Sequence, residues 1–229
     1  MAEKTENLSI SEKLNDFIQK NRIILVASLG GMLVLLIIII AVFTVRDQLQ
    51  SRALSRVEEL NRRFEALDIF TNSDTPETAF INEEVTVLLE DLDLFAKKNS
   101  GYAAARSYAI SANIYEEMKN WAEAETAWVN AARVGAKTYL APVAFFNAAV
   151  AAEEQGNINR AIELYHNALE YENIFPAAPR AQFSIGRLQE TQGDNIGALS
   201  SYMLLVSKWP QDQIWANLAH NRITFFSME

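Results

Sequence analysis

Apolar residues follow three different rhythms along this chain. From Ile23 to Val45, "IILVASLGGMLVLLIIIIAVFTV" runs 23 residues without a charge. At about 1.5 Å per helical residue such a run crosses a hydrocarbon layer of roughly 30 Å, which predicts a transmembrane helix over 23–45. The next stretch, 46–70, "RDQLQSRALSRVEELNRRFEALDIF", spaces its apolar residues by three and four, at Leu49, Ala53, Val57, Leu60, Phe64 and Leu67. That period predicts an amphipathic helical stalk continuing outward from the span. Over 76–229 the pattern stays helical and is punctuated at Gly101, Gly135, Gly156, Pro176, Gly193 and Pro210, with few segments that favour strands.

The long apolar run competes with two other readings. A cleavable signal peptide has an apolar region of about 7–15 residues ending in small side chains; this run is longer, and "AVFTVRD" is a poor cleavage sequence. A buried core helix would rarely go so far without a polar interruption. Residues 1–22 are polar, with an apolar edge of Leu14, Phe17 and Ile18, and are read as a short cytoplasmic tail. Charge does not orient the span: Lys4, Lys13, Lys20 and Arg22 precede it, and Arg46, Arg52, Arg56, Arg62 and Arg63 follow it. The short tail and long C-terminal part fit a single-pass protein of the cytoplasmic (inner) membrane. Its N-terminus would be inside and its C-terminal domain extracytoplasmic. Ala27 and Gly31 have the small-xxx-small spacing that permits close helix approach, although glycine is common in membrane helices.

The stalk stripe serves either as a coiled-coil seam, giving an oligomer, or as a face laid on the distal domain. "TNSDTPE" then ends the helix, with Asp74 or Thr75 available to cap the next one and Pro76 suited to its first turn.

A period of 37 residues organises the distal part of the chain. Ala124, Ala161 and Ala198 form one column, Trp128, Tyr165 and Tyr202 another, and Ala131, Ala168 and Leu205 a third. Ala112, Ala149 and Gly186 recur in the preceding helices, and Lys119–Asn120, Gly156–Asn157 and Gly193–Asp194 recur at the turns. Small residues facing each other let two helices approach, and the aromatics fill the wider space beyond. Glycine at the turn admits the left-handed conformation that ends a helix, and Asn or Asp caps the next.

This pattern resembles the tetratricopeptide repeat, a helix–turn–helix unit of about 34 residues that stacks into a right-handed solenoid. The resemblance covers repeats at about 104–136, 141–173 and 178–210, followed by a terminal helix over 212–226 with Trp215, Leu218 and Ile223 turned inward. The 37-residue period implies longer turns between repeats, and Lys119 stands where the family usually has glycine. Residues 76–98 predict a long helix packed under the first repeat. The expected architecture is all-α: an N-terminal transmembrane helix and helical stalk followed by a TPR-like α-solenoid over 76–229. Tail, span, stalk and distal repeats together also resemble the YfgM-like family of bitopic envelope proteins, most closely through "FAKKNSGYAAARSYAISANIYEEMKNWAEAETAWVNAA". That resemblance implies an extracytoplasmic domain associated with the secretion translocon and periplasmic chaperones.

Charges balance through Asp68, so the whole net charge of −9 belongs to the distal part. An acidic domain without a basic patch argues against nucleic acid and anionic lipid as its ligands; lipid contact is expected through 23–45. The absence of cysteine excludes disulfides and thiolate metal sites. His166 and His220, the two histidines, lie at surface positions of their helices. Adjacent acids, Glu83–Glu84, Glu116–Glu117 and Glu153–Glu154, diverge around their helices and read as a solvated face. No phosphate loop or nucleophile elbow stands out, so no cofactor, metal or catalytic role is expected.

A groove is the expected site. The first helix of each pair lines the concave face of such a solenoid, which would present Arg106, Ala109, Asn113 and Glu116, then Val143, Phe146, Val150 and Glu153, then Arg180, Phe183, Arg187 and Glu190; of these Arg106, Asn113, Phe146, Val150, Arg180, Phe183 and Arg187 are the candidate groove residues. Arginine and aromatic side chains are common anchors of protein interfaces. The same aromatics can instead pack against the stalk or the terminal helix of this chain. The expected function is a membrane-anchored protein-binding module aiding secretion, folding or assembly of envelope proteins near a translocon or chaperones. The alternative is a scaffold subunit of a larger envelope complex, such as a motor collar or assembly machine.

Overall fold

The computed structural model describes residues 10–67 and 76–228, and of residues 10–13, 16 and 76–82 the backbone alone. Asp74 and Thr75, the expected cap of the second helix, lie outside the described residues. The described residues form nine α-helices and one short 3-10 turn, in two units, Met1–Arg52 and Ala53–Glu229.

The described residues of the first unit are helical, as part of α1 (Ile10–Ala66). The large apolar residues from Ile23 to Val45 stand exposed, none covered by the chain itself. The two hydroxyls of the run are both satisfied within the helix. Ser28 Oγ donates to the Leu25 carbonyl and Thr44 Oγ1 to the Ile40 carbonyl, each at 2.9 Å. Apolar surroundings therefore meet no unbonded side-chain donor along the run.

The second unit begins with the last part of α1 and continues through α2 (Pro76–Lys98) and α3 (Gly101–Glu117). Val57 and Leu60 of α1 are buried with Val85, Leu88 and Leu92 of α2 and Ile110 and Ile114 of α3, with Phe64 and Leu67 packed at the edge. Arg63 bonds Asp91 at 2.6 Å, and Arg106 reaches Glu58 and Asn61 at 3.3 Å each. From Val57 onward the stalk stripe is thus laid on its own domain. The other reading, a coiled-coil seam, lacks a free apolar face there.

Three helical hairpins come next: α3 with α4 (Trp121–Val134), α5 (Leu140–Glu154) with α6 (Ile158–Leu169), and α7 (Ala178–Thr191) with α8 (Asn195–Lys208). The alanines of the two facing columns are completely buried, and Gly186 is buried with them. A Cβ on Gly186 would lie 2.7 Å from the Tyr202 ring, which shows how close the last pair approaches. Trp128, Tyr165 and Tyr202 fill the core behind these contacts.

The three hairpin turns share one backbone form. Lys119, Gly156 and Gly193 take φ of 56°, 73° and 77°. At each turn two backbone bonds close the preceding helix, as in Lys119 to Glu116 (2.9 Å) and Asn120 to Tyr115 (2.8 Å), the paired pattern of a Schellman end. Lys119 therefore adopts the left-handed conformation its neighbours reach with glycine. At these three turns Asp194 caps with its side chain, accepting from the Gly197 amide at 2.9 Å, whereas Asn120 and Asn157 make no such bond.

The last helix is α9 (Trp215–Phe226); before it Asp212 Oδ1 accepts from the Ile214 and Trp215 amides at 3.0 and 2.7 Å. Its inward face centres on buried Ala216 and Ala219, flanked by Trp215, Ile223 and Phe226. Leu218, expected to turn inward, is 41% exposed. With Ala216 and Ala219 both against α8, a residue between them at helical spacing must point away.

Candidate functional site

One polar arrangement recurs in the three hairpins, and it links α5 to α7 and α7 to α9. Near the C-terminal end of each first helix stands a glutamate, and twelve residues later an aromatic side chain from the second helix donates to it. Trp128 Nε1 donates to Glu116 Oε1 at 2.7 Å, the Tyr165 hydroxyl to Glu153 Oε1 at 2.6 Å, and the Tyr202 hydroxyl to Glu190 Oε2 at 3.1 Å. Arginines from the next helix on the same face complete two of the three: Arg187 of α7 pairs with Glu153, and Arg222 of α9 with Glu190.

Burial governs the protonation of these groups. It pushes the hydroxyls of Tyr165 and Tyr202 above the ordinary tyrosine range, in Tyr165 with the bond to Glu153 adding to the effect. Burial also pushes the Glu116 carboxyl upward, against the bond from Trp128, which favours the ionised form.

The expected groove residues are not equally available. Phe146 is 7% exposed and belongs to the core. Its ring meets Tyr165 edge-on, centroids 5.1 Å apart, and Phe175 at 6.0 Å. Phe183 is wedged between Tyr202 and Trp215, at 5.3 and 5.4 Å, so the terminal helix occupies its outer side. Arg180 is exposed, its guanidinium 4.9 Å above Phe146 and 5.9 Å from Trp215. This places it as a cation resting on an aromatic floor. Val150 and Asn113 are half-buried, Arg187 is held by Glu153, and Arg106 is turned to the stalk residues Glu58 and Asn61. Arg180, Phe146 and Phe183 are thereby brought together, whereas Arg106 is drawn to the opposite end. A cavity of about 410 Å³ opens beside Phe183, lined by that residue with Arg187, Glu190, Thr191, Tyr202 and Arg222.

Glu116 and Glu153 do not belong to a solvated face, contrary to the expectation from their adjacent acids. Each turns to the aromatic of its own hairpin, while Glu154 beside Glu153 is exposed. The signal was in the numbering: Glu116, Glu153 and Glu190 stand 37 residues apart, each twelve before the aromatic column. His166 and His220 are both exposed. Among the described residues no group of three or more His, Asp or Glu side chains is placed to hold a metal ion.

Comparison with known proteins agrees with this architecture. A tetratricopeptide repeat model matches residues 146–212, from α5 to the turn before α9. A TPR repeat-containing protein of Treponema pallidum (strain Nichols) is 32% identical over 215 residues, covering 90% of this chain and 87% of its own. A crystal structure of nearly identical TPR-like repeats, described for a kinesin light chain of Podosopora anserina, superimposes with a TM-score of 0.44 at 16% identity. It covers 73% of this chain and 92% of that one. With its repeated hairpins and a relative matched along nearly its whole length, the chain belongs to the tetratricopeptide repeat family, whose members typically serve as non-enzymatic protein-binding scaffolds.

Proposed function

We propose that this chain is a protein-binding module fixed in the cytoplasmic membrane by residues 23–45, with its N-terminus inside and its repeats on the extracytoplasmic side. There it holds segments of envelope proteins undergoing secretion, folding or assembly, close to a translocon or chaperones. The observation that carries the anchor is the apolar run itself: exposed along its whole length, uncharged, and with both of its hydroxyls bonded to the helix backbone. A solvent-exposed run of this size in water is unfavourable, and a bilayer removes that cost. The resemblance of tail, span, stalk and repeats to the YfgM-like family supports the envelope setting. Anchoring also raises the effective concentration of the repeats near membrane-bound clients, so modest affinity suffices.

The α3–α5–α7 face is the proposed contact surface, with Asn113, Val150 and Arg180 reachable from outside and Phe146 and Phe183 forming the floor beneath. Protease treatment of intact spheroplasts tests the setting. Digestion of the repeats with survival of the span is the expected result; full protection would overturn the orientation, and recovery of the chain in the soluble fraction would overturn the anchor.

One observation favours the second reading, a scaffold subunit of a larger envelope complex. The two groove phenylalanines are covered by rings of the chain itself, and lasting contacts would then come from the membrane helix. Exchanging 23–45 for an unrelated span separates the two: loss of crosslinked partners favours the scaffold, and retention favours the groove.

A further inference from the structure

We propose that Glu116 is a subsite for a cationic side chain, an arginine or lysine carried by the polypeptide that occupies the α3–α5–α7 face. The inference rests on the protein-binding reading above and names the chemistry of one point within it.

The ladder of glutamates is interrupted at its first rung. Glu153 receives a tyrosine hydroxyl and, from a residue 34 positions later, the guanidinium of Arg187. Glu190 receives a tyrosine hydroxyl and, 32 positions later, Arg222. Glu116 receives Trp128 Nε1 on Oε1, but the residue 34 positions later is Val150. Among the described residues no cation pairs with Glu116.

Its surroundings disfavour the bare charge, since burial is the largest influence on its carboxyl and acts upward. A partly buried carboxylate without a counter-charge is unfavourable, and an arriving cation relieves it. The same fold shows the relieved state twice. At the first position none of the described residues supplies the cation, and the occupant of the face would bring it.

Val150 adds the second half of the subsite. It is half-buried on the core and has no polar group, so it offers apolar surface to the aliphatic stem of a lysine or arginine while Glu116 takes the head group. The acidity of the distal part, which carries the whole net charge of −9, draws a basic segment toward the domain.

The test uses the full chain in detergent micelles and a positional-scanning library of N-acetylated, C-amidated dodecapeptides. Wild type is expected to enrich arginine or lysine over norleucine at one peptide position by about tenfold, the size of one charge-assisted hydrogen bond. Glu116→Gln removes that preference and keeps the apolar preferences at other positions. Val150→Arg, which supplies the missing guanidinium in cis, also removes it and raises the thermal midpoint. If Val150→Arg fails to fold, Glu116→Gln decides alone. Enrichment without a basic preference, or a basic preference unchanged in Glu116→Gln, overturns the subsite and leaves the groove standing. No enrichment of any peptide overturns the groove and the subsite together.

Discussion

Tyr165 donates its hydroxyl to Glu153 across the turn of the second hairpin at 2.6 Å, while Arg187 approaches the other oxygen from the next hairpin. One carboxylate thus ties the two helices of a repeat and the following repeat to each other. Tyr165→Phe removes the first tie and leaves the ring in place, and is expected to cost about 1.5 kcal/mol, typical of a bond to a charged acceptor. Urea unfolding with an unchanged slope checks it.

The three ladder glutamates respond differently to neutralisation. Glu153→Gln and Glu190→Gln lose an arginine pair each, partly exposed, and are expected to destabilise by about 0.5–1 kcal/mol. Glu116→Gln keeps an oxygen for Trp128 and sheds a charge that none of the described residues balances, so stability at neutral pH stays level or rises. Equal losses in all three would show that Glu116 is already paired.

Lys119 at φ 56° is a test of backbone strain. A side chain in the left-handed region is unfavourable by about 1–2 kcal/mol, part of which glycine gives back through its freer unfolded chain. Lys119→Gly is therefore expected to stabilise by about 0.5 kcal/mol, and Gly156→Ala to destabilise by about 1 kcal/mol. Midpoints of chemical unfolding, compared at constant slope, report both.

These turns were legible because the left-handed position and the small-residue columns leave marks at a fixed interval; Ala112, Ala149 and Gly186 tell their own spacing. The span was legible because length and lack of charge are one-dimensional properties. The fate of Phe146 and Phe183 was not. Phe146 is covered by Phe175, from the irregular segment between repeats, and Phe183 by Trp215, from a helix outside the period. Helical spacing gives the side on which a residue stands, but not what a non-repeating segment lays over it. Leu218 illustrates the same limit, since the inward face of α9 is set by its docking on α8.

Alkaline pH probes the hydroxyl pair of Tyr102 and Tyr139, 2.7 Å apart. Burial, then the bond to Tyr139, holds Tyr102 up to about 12. With the folded value above the unfolded value of about 10, its contribution is fully present below pH ~10 and is lost as pH rises through about 12. Tyr165 and Tyr202 shift in the same direction. Wild type should lose stability steadily over this window, and Tyr102→Phe should show a shallower slope in urea midpoints measured from pH 9 to 12.

Ala161 and His166 sit about one and a half turns apart on α6 and face opposite environments: the alanine is fully buried against the preceding helix, and the histidine is exposed. Ala161 lies in the buried small-residue column of the α5–α6 hairpin, in one core cluster with Ala149. The added carbons of a larger side chain have nowhere to go without pushing α5 and α6 apart. Ala161→Leu is expected to cost about 1–3 kcal/mol through overpacking, with the loss spreading to Tyr165, whose ring position depends on the same helix spacing. His166→Ala removes only solvated surface and should leave the unfolding midpoint within about 0.5 kcal/mol of wild type. A similar loss for both would mean that α6 packs on its histidine side, and a small loss for Ala161→Leu would mean that the hairpin can widen without disturbing its neighbours.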